Sequence, residues 1–168
     1  MASVVSDSSV LIHLANIGRL DLLRQMYCRV SIPMAVWREV VEEGRGRAGA
    51  REVEAAKDAG WIEVEAVSNE LILRLLKRDL DDGEAEAITL AVQRQAALLL
   101  VDELGARRIA ELYRVRKTGT VGLLIRAKRE GRIESLRVEL DKLRHEGGFW
   151  LEEALCQKAM AAVGEGGY

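Results

Sequence analysis

Short apolar runs, bounded by polar or glycine steps, alternate along this chain with stretches whose apolar residues recur at helical spacing. Residues 2–6 (ASVVS) are rich in β-branched side chains and run into Asp7-Ser8-Ser9, a polar step that can open a helix, so the pattern predicts a first strand ending at Asp7. Residues 10–17 and 20–27 carry helical spacing on either side of Gly18. A second strand is expected over 29–32, with Pro33 in the first turn of a helix that reaches about Glu43, since its missing N–H costs nothing there. Beyond a loop at 44–49 the pattern predicts a helix over 50–59, a strand over 61–64, and a helix opened by Ser68 with Leu71, Leu75 and Leu76 on one face. Asp81-Asp82-Gly83-Glu84 starts an alanine-rich helix to about Gln95, and ALLLV at 97–101 is a strand buried on both faces that ends at Asp102. Helices over 104–112, 121–130, 133–144 and 150–163, with a brief strand at Val115, complete the pattern.

Strands alternating with helices predict an α/β fold, a three-layer α/β/α sandwich around a central, mainly parallel sheet. With 168 residues, 49% of them hydrophobic, and no low-complexity stretch between elements, one domain is expected over 1–168, with C-terminal helices at about 132–163 packing on it or extending it. No run is long and apolar enough to span a bilayer, so a cytoplasmic protein without membrane contact is expected. Cys28 and Cys156 lack paired-ligand spacing and read as core residues.

The formal charge of −2 hides an asymmetry. Residues 107–137 hold ten basic and three acidic side chains, whereas 1–106 hold twelve basic and eighteen acidic. A basic lobe beside an acidic one suits an enzyme that holds phosphates and metal cations, although a solvated helix face explains the same charges.

In open parallel sheets ligands bind beyond the carboxyl ends of the strands. Asp7 and Asp102 each follow an apolar strand directly, so both carboxylates are expected at one edge, where they can share a cation; either alone is also a plausible helix N-cap. Glu84 sits beside the buried stripe of its helix, and its three-residue spacing from Asp81 also fits a capping box. Glu39 borders an apolar face. Together Asp7, Glu39, Glu84 and Asp102 form a candidate all-oxygen site for Mg²⁺ or Mn²⁺. His13 reads as a packed core residue, His145 as a helix-end cation, and Trp37, Trp61 and Trp150 as core or subunit contacts.

The segments VVSDSSVLIHLA, IPMAVWREVVEEG, DDGEAEAITLA and ALLLVDELGARRIAE, in that order, resemble the PIN-domain superfamily, and TGTVGLLIRAKREGRI looks like a variant PIN-like group of prokaryotes. The resemblance covers nearly the whole chain. It implies a divalent-metal-dependent ribonuclease that hydrolyses phosphodiester bonds in single-stranded or structured RNA, possible pairing with a small antitoxin as in VapC-type toxins, and a homodimer. By position Asp7, Glu39, Glu84 and Asp102 match the family acids. Where many members carry another aspartate shortly after the position of Asp102, this chain has Leu104 and Gly105, which leaves Glu103 as a substitute metal ligand. Ser8 and Thr120 are candidates for orienting a carboxylate or water, and Arg107, Arg108, Arg126, Lys128 and Arg129 for holding the sugar-phosphate chain. The alternative is a catalytically inactive PIN-like module that binds nucleic acid or protein.

Overall fold

In the computed structural model, which describes residues 2–146 and 148–166, the apolar runs form a five-stranded, wholly parallel sheet. β1 (Val4–Ser6) lies at its centre between β2 (Val30–Pro33) and β4 (Leu98–Leu100), with β3 (Ile62–Glu65) outside β2 and β5 (Lys117–Thr118) outside β4. The chain builds outward from β1 to β3 on one side and then returns to lay β4 and β5 on the other. The order therefore reverses between β1 and β4, the position at which an open parallel sheet forms a crevice.

Strand alternation splits the apolar side chains into two cores. Val4, Val30, Ile32, Ile62 and Leu100 face one way, against α1 (Ser8–Asn16), α2 (Asp21–Tyr27), α4 (Ala50–Asp58), α8 (Thr120–Arg129), α9 (Leu136–His145) and α10 (Glu153–Ala162). Val5, Leu99 and Val101 face the other way, against α5 (Glu70–Leu76), α6 (Asp82–Gln93) and α7 (Leu104–Leu112). These are the three layers of an α/β/α sandwich. The remaining helix, α3 (Met34–Trp37), continues into a five-residue π turn, Arg38–Glu42, closed by the Glu43 N–H on the Arg38 carbonyl at 2.8 Å.

Local expectations shift in several places, each for a physical reason. Pro33 is the last residue of β2 and the N-cap of α3, with extended backbone, and does not enter the helix. Asn69, not Ser68, caps α5, its side chain accepting the Ile72 N–H at 3.2 Å. Leu71 and Leu75 do not share the buried face of α5: Ile72, Leu73 and Leu76 pack inward, leaving Leu71 72% and Leu75 51% exposed. β5 forms at Lys117–Thr118, because pairing with β4 places those residues beside Leu99 and Leu100, whereas Val115 packs as a loop residue. Cys156 is buried, but Cys28 is exposed at the end of α2, where its backbone turns to φ 67°.

Candidate metal centre

The crevice between β1 and β4 is where the acidic side chains gather. Ser6 pairs with Leu100 and the Asp7 N–H donates to the Leu100 carbonyl at 3.0 Å, so both strands stop at the same level and deliver Asp7 and Asp102 to one edge. Asp7 is the N-cap of α1: its Oδ1 accepts the Val10 N–H at 3.1 Å. That capping role accounts for only one oxygen. The residue is 1% exposed, and among the described residues its buried Oδ2 has no hydrogen-bond partner. Burial pushes the Asp7 carboxyl well above the usual aspartate range; the Val10 N–H opposes this, and the charges of Asp102, Glu84 and Asp81 add to it.

Asp102 is held in a different way. Its Oδ1 accepts the Thr120 N–H at 2.7 Å, and its Oδ2 accepts the Thr120 hydroxyl at 2.6 Å and faces His13 Nδ1 at 2.7 Å. Asp102 thus tethers the N-terminus of α8. Gly119 makes the approach possible, since a Cβ there would lie 2.6 Å from Asp102 Oδ1 and 2.9 Å from Arg107 Nη1. Burial alone would raise the Asp102 carboxyl, but the bonds from His13 and Thr120 outweigh it and hold the group below its ordinary value. The two aspartates at this edge are therefore shifted in opposite directions.

Glu39 enters from the π turn. Its carboxylate accepts the Ser8 hydroxyl and the Gly83 N–H, the latter at 3.0 Å, bridging the start of α1 to the start of α6. A Cβ on Gly83 would come within 2.6 and 2.7 Å of its two oxygens, so that glycine leaves the space the carboxylate fills. Glu84 forms the capping box with Asp81: its N–H donates to Asp81 Oδ1 at 2.8 Å while its Oε2 accepts the Asp81 N–H at 3.4 Å. Burial raises both glutamates, and the negative charge of Asp81 raises them further. Glu103 occupies the N-cap position of α7 without a side-chain capping bond, is exposed, and adds repulsion at Glu84.

The fold therefore brings Asp7, Asp102 and Glu84 into one field, with Asp81 among them and Glu39 joined to the same helix start. Among the described residues, no three His, Cys, Asp or Glu side chains stand close enough to ligate one ion as positioned. The donors nevertheless suit a hard cation: all the acids offer oxygen, and Asp7 presents a buried oxygen that nothing in the described chain satisfies.

Of the basic residues singled out from the sequence, Arg107 stands beside Asp102 and Gly119, with exposed Arg108 next to it on α7. The other three lie in the last turn of α8, away from Thr120 at its start, and are engaged elsewhere. Arg126 bonds Glu130 at 2.7 Å and covers the Tyr27 ring near the opposite ends of the strands, Lys128 bonds the Glu134 carbonyl and Glu165, and Arg129 reaches the Ala162 carbonyl. The sequence reading missed His13, which is not simply a packed core residue. The signal was an ionisable side chain on a helix whose other faces are buried at Val10, Leu11 and Leu14.

A parallel sandwich with carboxylates gathered at its topological switch point is an α/β fold whose polar crevice opens beyond the strand ends. A family model described as PIN domain matches residues 3–165, and the chain belongs to that family. No curated protein matches the sequence. Among the described residues no helix is long and apolar enough to cross a membrane.

Proposed function

We propose that this PIN domain is a divalent-metal-dependent endoribonuclease acting on single-stranded RNA, with Mg²⁺ or Mn²⁺ held between Asp7 and Asp102. The observation that carries the reading is the unpartnered Oδ2 of Asp7, 1% exposed and surrounded by the charges of Asp102, Glu84 and Asp81. Leaving a buried acceptor unsatisfied costs about 1–3 kcal/mol, and repulsion within the cluster adds to that cost. A cation removes both penalties.

When bound, the ion supplies the Lewis acidity that activates water and offsets charge on the phosphoryl oxygens. Asp7 and Asp102 hold it, and Glu84 adds negative charge at the rim. Glu39, fixed by Ser8 and Gly83, keeps the start of α6 against α1. Thr120 fixes the orientation of the Asp102 carboxylate through both of its oxygens. Arg107 and Arg108 receive the sugar-phosphate chain beside the acids, and their contribution weakens as salt rises.

A second reading, a metal-free binding module, is favoured by the donors already occupying Asp102 Oδ2. Cleavage of a panel of single-stranded RNAs in Mn²⁺, in Mg²⁺ and in chelator separates the two. The nuclease reading expects metal-dependent cleavage that falls to the chelator background in Asp7→Asn, an isosteric change that preserves the cap but removes the charge. RNA binding without cleavage under every condition would establish the binding module instead.

A further inference from the structure

The opposite edge of the sheet carries a second opening. β1 and β4 begin side by side there, and the Ser3 carbonyl accepts the Ala97 N–H at 2.8 Å and the Leu98 N–H at 3.3 Å. The end of α2 and the last turn of α8 join these strand starts in lining a cavity of about 370 Å³. That volume lies near the lower end of the roughly 300–1,000 Å³ usual for small-molecule sites. Val4, Met26 and Leu98 form its apolar wall, and Tyr27, Cys28, Arg116 and Arg126 supply its polar groups. Among the described residues that line it none is acidic, in a protein whose formal charge is −2.

The two arginines are held in place and only partly engaged. The Arg116 carbonyl accepts the Leu99 N–H at 2.8 Å, which fixes its backbone against β4. Among the described residues its exposed guanidinium has no hydrogen-bond or ion-pair partner. Arg126 donates from Nε to Glu130 at 2.7 Å and from Nη1 to the Tyr27 hydroxyl at 3.4 Å, and its guanidinium carbon lies 5.3 Å from the centre of the Tyr27 ring. Its Nη2 is left over. Burial raises the Tyr27 pKa against the pull of Arg126, so the phenol keeps its proton at neutral pH. An anion here meets two guanidinium groups and a neutral phenol, whereas a cation meets repulsion. A bare ion leaves Val4, Met26 and Leu98 facing water; an apolar body attached to the ion covers them.

We propose that this cavity binds a small amphipathic anion, an aryl or medium-chain alkyl acid, with its charged head between Arg116 and Arg126 and its apolar body on Val4, Met26 and Leu98. The site uses the same two strands as the acidic crevice, at their other ends, and needs neither metal nor RNA. Its test is therefore independent of the nuclease reading. For a ligand of about twenty non-hydrogen atoms, ordinary ligand efficiency corresponds to a dissociation constant on the order of tens of micromolar.

Cys28 gives a local reporter, since it is exposed and lines the cavity, whereas Cys156 is buried and does not. The full chain is alkylated with neutral iodoacetamide, and the rate at Cys28 is followed by mass spectrometry. Anilinonaphthalene sulfonate serves as the aryl probe, octanoate as the alkyl probe, octylamine as the probe of reversed charge and inorganic phosphate as the bare anion. Fluorescence of the sulfonate gives its dissociation constant. At ten times that constant, alkylation of Cys28 should slow about tenfold. Protection by the sulfonate alone assigns an aryl ligand, and protection by octanoate alone an alkyl one. Arg116→Ala should weaken sulfonate binding about fivefold or more. Ala97→Trp, at an exposed position on the cavity wall, should abolish protection by filling the space, while Arg74→Ala, which removes the same charge from α5, should change nothing. Thermal melts check that each variant folds, and if Ala97→Trp does not, Arg116→Ala decides. The proposal is overturned if no probe protects Cys28, if phosphate or octylamine protects as well as octanoate and the sulfonate do, or if Arg116→Ala keeps the wild-type affinity.

Discussion

Asp7 and Asp102 share one edge of the sheet yet their pKa values shift in opposite directions, because burial of Asp7 is opposed by the Val10 N–H alone, whereas three hydrogen bonds outweigh the burial of Asp102. The folded Asp7 carboxyl lies above its unfolded value, so the folded state binds the extra proton and stability declines as pH rises from the unfolded aspartate value through the raised one. Urea denaturation of metal-free protein between about pH 4 and pH 7 should show that decline, and Asp7→Asn should flatten it and raise stability at the upper end. An unchanged pH slope in the variant would mean that Asp7 is ionised at no cost. Gly83 offers a second test. In Gly83→Ala the new methyl would meet the flexible end of Glu39, so the protein should stay folded, with its melting temperature within a few degrees, while Glu39 is displaced. Cleavage should fall if the placement of Glu39 matters, and activity equal to wild type would remove that residue from the mechanism.

Two helices are set in unusual ways, one of them at the site. The π turn at Arg38–Glu42 puts one extra residue into the helix after α3, and such turns recur where a side chain must be aimed. Here the residue it carries is Glu39. Helix α9 begins far from the acids but depends on the tail: Glu165 accepts the Leu136 and Arg137 N–H groups at 2.8 and 2.9 Å, satisfying donors a helix start leaves open. Burial opposes ionisation of Glu165, but those bonds and Lys128 outweigh it and lower its pKa. Its contribution is therefore present above the unfolded glutamate value and is lost as pH falls through the lower folded one. Glu165→Ala should cost about 1 kcal/mol and speed hydrogen exchange in the first turn of α9, with exchange in α6 unaffected. Uniform acceleration across both helices would show that the tail acts on the whole fold.

Across the molecule, a charge pair with one buried partner joins the C-terminal helices to the N-terminal half. Arg19, just before α2, donates from Nε and Nη2 to Glu139 Oε1 at 3.0 and 2.6 Å, and Glu139 is 2% exposed with its Oε2 unpartnered among the described residues. Removing either partner has unequal consequences. Arg19 is one-third exposed and rehydrates when Glu139 is lost, whereas Arg19→Ala strands a buried carboxylate that Lys142, 3.8 Å away, only partly compensates. Arg19→Ala should therefore cost about 3 kcal/mol or more, and Glu139→Leu distinctly less, in urea denaturation at neutral pH. Equal losses would show that packing, not charge, joins the two halves. The same reasoning about exposure applies to RNA. Arg107→Ala and Arg108→Ala should each weaken binding alike across sequences and reduce the slope of log affinity against log salt by about 0.7, while Arg129→Ala, whose side chain is bonded to the Ala162 carbonyl, should leave the slope unchanged.

Periodicity was sufficient for the layers. ALLLV could be buried only in the middle of a parallel sheet, and the alternation of such runs with amphipathic helices left the sandwich as the architecture able to cover both faces. The positions of Asp7 and Asp102 were legible for the same reason, since an acid directly after a buried strand must emerge at its carboxyl end. Partners across the fold were not legible. That His13 meets Asp102 depends on α1 lying against the start of α8, a contact between residues 89 positions apart, and local spacing carries no information about it. The face of α5, the strand at Lys117–Thr118 and the dispersal of Arg126, Lys128 and Arg129 were likewise decided by packing, because a helix with apolar residues on two sides or a cation near several carbonyls has more than one local solution. Tertiary contacts chose among them by burying the most apolar surface that left polar groups paired. Asp7 Oδ2 is an exception to that rule, and it lies at the proposed metal centre.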